Sequence, residues 1–316
     1  MSNMKTLIAE RMSLIKPSPT MAVTKLAAEM KAAGKDVIGL GAGEPDFDTP
    51  DHIKNAAIKA IKNGETKYTA VDGTPALKKA IVKKFSKDNN IEYNMDEVIV
   101  SVGGKQVLYN ALMSSINPGD EVIIPAPYWV SYPDMVALAG GIPIIVEGKE
   151  SNNFKVLPDD IKNKISDKTK WIIINSPSNP TGSSYTKNEL EDLGNLLLNY
   201  ANIFIMSDDI YEKIIYDDFK FYSLAEVVPR LKDRILTVNG VSKAYAMTGW
   251  RIGYAGGPKD LISSMSKLQS QSTSNPSSIS QAAALAALEG PEEFLSERNN
   301  KFRIRRDIVV EMLNNC

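Results

Sequence analysis

The sequence predicts an α/β fold, a mostly parallel sheet flanked by helices on both faces. Two observations carry this. Short continuous apolar runs at 98–102, 121–124, 171–175, 203–207 and 234–238 lack the alternation of a half-exposed strand, so they read as buried strands. The segments between them space apolar residues three and four apart, as helices packed on a sheet do.

In order, residues 1–16 carry Ile8, Met12 and Ile15 at roughly helical spacing, and Pro17 and Pro19 are expected to break whatever forms there. A helix follows at 20–33, with Met21, Leu26 and Met30 inward and Gly34 as its stop. A short strand at 37–40 leads into Gly41-Ala42-Gly43-Glu44-Pro45-Asp46-Phe47, where glycines let the backbone come close to a ligand. Helices at 50–61 and 75–85 each have proline in the first turn, and the second repeats Leu77, Ile81 and Phe85 at intervals of four. Lys67-Tyr68-Thr69 between them is exposed in character. The strand at 98–102 passes through Gly103-Gly104-Lys105 into a helix at 106–116. Next come a strand at 121–124, a helix at 128–138, a short strand at 143–146, a strand at 171–175 and a helix at 187–200. Strands at 203–207, 234–238 and 251–255 complete the sheet.

Composition narrows the function. At 316 residues the chain can bury a large core, as one large domain or two smaller ones. A formal net charge of −1 with unclustered basic residues points to neither nucleic acid nor an acidic membrane. No apolar run approaches a membrane span, so the expected location is cytoplasmic. Cys316 is the single cysteine, which leaves no internal disulfide and no thiolate metal site. His52, the single histidine, follows a helix-start sequence. Acid-base chemistry therefore falls to lysine, tyrosine or carboxylates unless His52 lines the site.

In parallel sheets ligands bind beyond the carboxyl ends of the strands, which selects Gly103-Gly104-Lys105, 175–182, 208–211 and Ser242-Lys243. Each can also be an ordinary strand-to-helix turn. Lys243 sits in a small-residue turn after an apolar strand and is either a surface lysine or an amine placed to condense with a carbonyl. Arg251, eight residues on, could fork a phosphate. Gly103 and Gly104 open a helix whose free amides favour a phosphate. Asp208 could hold a pyridine nitrogen protonated and Tyr211 could donate to a phenolic oxygen, or Asp208 and Asp209 could be helix caps. Two prolines in Ser176-Pro177-Ser178-Asn179-Pro180 present the Asn179 amide, with a cis bond before Pro180 one option. Trp129 could stack on an aromatic cofactor or simply belong to the core.

Together these residues resemble the fold-type I aminotransferases, and within them the bacterial branch of the class I aspartate aminotransferase group. The motifs that carry the resemblance are Gly43-Glu44-Pro45-Asp46-Phe47-Asp48-Thr49-Pro50, Gly103-Gly104-Lys105, Asn179-Pro180-Thr181-Gly182, Asp208 to Tyr211, and Ser242-Lys243 through Arg251-Ile252-Gly253-Tyr254. The resemblance implies an amino-acid:2-oxoacid transaminase using aspartate or glutamate, with pyridoxal 5'-phosphate on Lys243 and prephenate as a compatible further acceptor. Asp208 then meets the pyridine nitrogen, and Tyr211 and Asn179 meet the ring oxygen. Gly103, Gly104, Lys105, Arg251 and Ser242 lie at or beside the phosphate, while Trp129 stacks on the ring. Gly43, Trp129, Asn179 and Lys16 border the substrate. Tyr68 reaches the phosphate of a neighbouring subunit, which implies a homodimer with shared sites.

The same resemblance divides the chain into an N-terminal arm with part of a small domain at 1–45, a large cofactor-binding domain at 46–290, and the start of an interdomain helix at 291–316. In members of the family a C-terminal small domain carries the arginine that grips the substrate α-carboxylate. None of Arg298, Arg303, Arg305 and Arg306 sits in that motif, so the expectation is a truncated chain with impaired activity. The animal-type histidine that supports the pyridine aspartate is replaced by Tyr132, leaving the support of Asp208 unassigned. The rival readings are a catalytically inactive cofactor- or partner-binding protein, and another pyridoxal-phosphate reaction such as β-elimination or decarboxylation.

Overall fold

Seven strands form one mixed sheet in the order β1-β7-β6-β5-β4-β2-β3. The computed structural model describes residues 7–41 and 43–316. The strands are β1 (Val98–Ser101), β2 (Glu121–Ala126), β3 (Ile142–Glu147), β4 (Thr169–Asn175), β5 (Phe204–Asp208), β6 (Ile235–Gly240) and β7 (Gly253–Gly256). Pairing is parallel from β3 through β2, β4 and β5 to β6, and antiparallel where β7 inserts between β6 and β1.

The helices are α1 (Pro19–Ala32), α2 (Asp51–Lys62), α3 (Pro75–Asn89), α4 (Gly104–Ser115), α5 (Ser131–Leu138), α6 (Pro158–Lys162), α7 (Lys187–Leu198), α8 (Leu224–Val227), α9 (Lys259–Ser270), α10 (Ser278–Glu289) and α11 (Glu293–Asn314). Side chains alternate across a strand, so each strand feeds two cores. Ile123, Ile172, Ile174 and Ile205 pack with residues of α2, α3, α7 and α10 on one face. Val122, Ile124, Trp171, Ile173 and Met206 pack with residues of α4, α5 and α9 on the other. Each fully buried aliphatic side chain contributes about 1.5–3 kcal/mol, which is why runs such as 171–174 are apolar without a break.

Several expectations need correction. The predicted strand at 37–40 does not form: Ile38 and Leu40 are exposed, and no described strand pairs with them. A 3-10 helix at Glu10–Leu14 ends before Pro17, and Pro19 itself starts α1, where its missing N–H costs nothing. That helix buries none of its residues: Met21 and Leu26, expected inward, face outward, because no described element covers them. The helix expected over 128–138 starts only at Ser131, leaving Trp129 in the preceding loop. The helix expected from 106 instead begins at Gly104 and takes in Lys105, so both residues lie in its first turn. The parts of the predicted arm at residues 1–6 and Ala42 lie outside the described residues. No described helix is long and apolar enough to cross a membrane.

Candidate active site

The carboxyl ends of β4, β5 and β6 place the chemistry. Asp208 is the last residue of β5, not the first of a turn, and the two-residue period puts it on the face of Met206 rather than that of Ser207. It is buried, and there Tyr132 Oη, projecting from α5, donates to its Oδ2 at 2.7 Å. Burial raises the Asp208 carboxyl to about 6, against the opposing pull of the Tyr132 hydroxyl, the Ile210 amide and the Lys243 ammonium. The Tyr132 phenol is driven well above its usual range, first by burial and then by Asp208. It therefore stays a donor. Tyr132 thus supplies the support of Asp208 that the sequence left unassigned. The available signal was a tyrosine on the inward face of a helix that also carries Met135 and Val136.

Tyr211 follows in the turn after β5. Its hydroxyl lies 3.5 Å from Asn179 Nδ2, and its ring lies 5.8 Å from Lys243 Nζ. Burial pushes the Tyr211 phenol up to about 12. Behind this turn, Glu212 forms a buried ion pair with Lys84 and accepts from Asn89 Nδ2 at 2.9 Å. Asp209 turns to the opposite face of the sheet from Asp208, where Ser207 and Ser223 each donate to it at 2.7 Å. Neither aspartate is a helix cap, since no helix follows β5 until α8.

Lys243 is half-buried just past β6. Its Nζ donates to the Gly43 carbonyl, which brings the glycine-rich loop over it. Burial lowers the Lys243 pKa, partly offset by the Glu44 carboxylate, and Glu44 is itself held by Thr248 Oγ1 at 2.7 Å. Ser242 is buried and its carbonyl accepts from the Met247 amide at 3.1 Å, closing the turn that presents Lys243. Gly43, Asn179, Tyr211 and Lys243 share one cavity of about 820 Å³.

Arg251 adopts φ 58° and is fixed by donation to the carbonyls of Thr248 at 2.9 Å and Val102 at 3.3 Å. Gly103, at φ 88°, is the residue it crosses: a Cβ there would lie 2.3 Å from Arg251 Nη2. Only glycine admits the guanidinium beside the first turn of α4. Lys105 Nζ lies 4.8 Å above the Trp129 ring, and the ring meets Tyr132 edge-on at 5.4 Å between centroids. Lys105 and Arg251 line a second cavity of about 530 Å³ together with Lys16. Lys16 is therefore set with the arginine side of the site and does not line the Lys243 cavity. Tyr68 is 91% exposed and meets none of the others.

These residues fit pyridoxal phosphate on chemical grounds. The aldehyde needs an amine that is readily deprotonated, and Lys243 is depressed by burial. The pyridine nitrogen needs a buried carboxylate, and Asp208 is one. A phosphate needs cations beside free amides, and the gap left by Gly103 sets Arg251 beside the first turn of α4, where the Gln106 amide bonds the Gly103 carbonyl and the Gly104 and Lys105 amides stand ahead of the first helical bond. Among the described residues no cluster could hold a metal ion.

A parallel sheet with a lysine amine beyond one strand and a buried carboxylate ending its neighbour is the architecture of a pyridoxal-phosphate-dependent transferase. The chain belongs to the class I and II aminotransferases, whose family model matches residues 35–316. It is similar to the aspartate/prephenate aminotransferase of Cereibacter sphaeroides, 59% identical over 307 residues that span 97% of this chain and 77% of that protein. The crystal structure of the aspartate aminotransferase from Rhizobium meliloti superposes with a TM-score of 0.95 at 52% identity, covering 98% of this chain and 78% of that one. The aspartate aminotransferase of Thermus thermophilus with maleate also gives a TM-score of 0.95, at 43% identity, covering 98% and 81%. The protein is an aminotransferase, its cofactor is pyridoxal 5'-phosphate, and its substrates are amino acids and 2-oxoacids.

Proposed function

We propose that the chain transfers the amino group of aspartate or glutamate to a 2-oxoacid at a cofactor held by Lys243, with prephenate a further acceptor. The observation that carries this is the Lys243 amine and the Asp208 carboxylate at adjacent strand ends, with the Tyr211 ring 5.8 Å from the amine. Names of the relatives support the substrate class. Homodimerisation with Tyr68 reaching the partner's site, and a cytoplasmic location, belong to the same reading. So does the division into an arm at 1–45, a large domain at 46–290 and an interdomain helix from 291.

When bound, pyridoxal phosphate supplies an aldehyde carbon for the substrate amine and a ring that takes up the electron pair left at the substrate α-carbon. The protein does the rest. Lys243 Nζ carries the proton from the substrate α-carbon, a task suited to an amine whose proton affinity burial has lowered. The Asp208 carboxylate holds a proton on the pyridine nitrogen. Tyr211 and Asn179 would hold the ring oxygen, Trp129 would pack against the ring, and Gly103, Gly104, Lys105, Ser242 and Arg251 would hold the phosphate. Gly43, Asn179 and Trp129 border the substrate, with Lys16 at its approach.

The test is a transamination assay of the reconstituted holoenzyme with aspartate and 2-oxoglutarate. Oxaloacetate and glutamate should appear in equal amounts. Aspartate consumed to alanine or pyruvate without glutamate would replace the reading with decarboxylation or elimination, and a bound cofactor that aspartate leaves spectrally unchanged would refute catalysis. Sedimentation of the holoenzyme should give twice the chain mass, and a monomer would remove the shared-site reading of Tyr68.

A further inference from the structure

Asn175 closes β4 directly beside Asp208, its register partner on β5. Its side-chain amide is engaged at both ends. Nδ2 donates to the Asp208 main-chain carbonyl at 2.8 Å, and Oδ1 accepts from the Asn179 main-chain N–H at 2.8 Å. One rigid planar group thus ties the strand end that carries Asp208 to the turn that carries Asn179. Those two segments serve two different atoms of one ring. Asp208 belongs to the pyridine nitrogen, whereas Asn179, within 3.5 Å of the Tyr211 hydroxyl, belongs to the ring oxygen.

We propose that Asn175 is a positioning residue that sets the separation between the nitrogen partner and the oxygen partners of the cofactor ring. The proposal rests on the roles given above to Asp208 and Asn179. The nitrogen and the oxygen of a flat ring lie a fixed distance apart, and both are met well only if the two segments keep matching spacing. A misplacement of about 1 Å at a reacting centre costs roughly a hundredfold in rate. A side-chain amide offers a donor and an acceptor at the two ends of one short planar group. Aspartate in its place keeps the acceptor for the Asn179 amide but turns an anion toward the Asp208 carbonyl. Alanine removes both bonds.

The experiment uses holoenzyme reconstituted with cofactor labelled with ¹⁵N at the ring nitrogen. The ¹⁵N shift reads the nitrogen end, and the pH titration of the visible absorbance reads the oxygen end. Asn175→Asp should move the ¹⁵N signal while leaving the absorbance titration close to that of the parent. Asn175→Ala should move both and lower kcat about 10- to 100-fold with little change in KM. If Asn175→Ala lowers only the melting temperature, with both signals in place, Asn175 is a structural brace and the proposal falls. Should the alanine variant fail to fold, Asn175→Asp decides alone: an unmoved ¹⁵N signal overturns the proposal. Asp208→Ala and Asn179→Ala separate the two levels. If these leave the signals unmoved, the ring-partner roles themselves fail; if they move them and Asn175→Ala does not, only this inference fails.

Discussion

Tyr132 donates its hydroxyl hydrogen to Asp208 Oδ2 at 2.7 Å, between α5 and the end of β5, with both side chains buried. Burial raises the Asp208 carboxyl to about 6, and this hydrogen bond is the largest of the influences that oppose the rise.

Removing the hydroxyl with Tyr132→Phe should therefore raise the Asp208 carboxyl further. A carboxyl with a raised pKa loses its charge earlier as pH falls, so the acid limb of the kcat/KM profile should move to higher pH. A hydrogen bond to a charged group contributes about 1.5–3 kcal/mol, so kcat should fall at least about tenfold near neutrality. Steady-state kinetics across the pH range check this, and an unmoved acid limb would break the link between Tyr132 and Asp208.

Replacing Lys243 with alanine should abolish the visible absorbance of the lysine-bound cofactor. Proton transfer by a placed side chain contributes about 10²–10⁴-fold, and transamination should fall by at least that much. Retention of the visible band in Lys243→Ala would assign the condensing amine elsewhere.

Gly103 and Gly104 should respond differently to alanine. Gly103 has φ 88° and a Cβ there would lie 2.3 Å from Arg251 Nη2, whereas a Cβ on Gly104 meets nothing within 4 Å. Gly103→Ala should cost about 1–3 kcal/mol of stability and weaken cofactor binding by displacing the guanidinium. Gly104→Ala, in the first turn of α4, should leave stability within about 0.5 kcal/mol of the parent. Urea melts of the two apoproteins compare them directly.

Asp209 links stability to pH. Burial raises its carboxyl to about 7, although Ser223 and Ser207 pull the other way and Lys84 partly offsets Glu212. A carboxyl raised above its unfolded value stabilises the fold at low pH, and that stability is lost as pH rises through the folded value. The apoprotein should lose this contribution between about pH 4 and pH 7. Asp209→Asn, which cannot ionise, should remove the dependence. Melting temperatures of the two proteins, compared at each pH, should therefore shift in the variant's favour as pH rises; a constant difference would show that Asp209 does not titrate in this window.

Most of the sheet was legible because its strands are buried on both faces. Continuous apolar runs such as Ile172-Ile173-Ile174 leave few alternatives, and the glycines and prolines that punctuate them mark the turns. The N-terminal segment was not legible. Val37, Ile38 and Leu40 form a short apolar run, and Met21, Leu26 and Met30 are expected on one inward helix face, yet a sequence pattern says only that a segment is apolar and never what covers it.

The same division runs through the site. Local sequence determined which residues lie at or just beyond the strand ends, because strand ends and glycine turns are short-range features; Lys243, Asp208, Tyr211 and Asn179 are legible in this way. Tertiary structure alone decided their contacts. Tyr132 lies 76 positions from Asp208 and Gly43 lies 200 from Lys243, and Asn175 bridges two segments whose separation depends on sheet register. Hydrogen bonds across such distances in sequence leave no local pattern, since each partner obeys its own element and only the packing of those elements brings donor to acceptor.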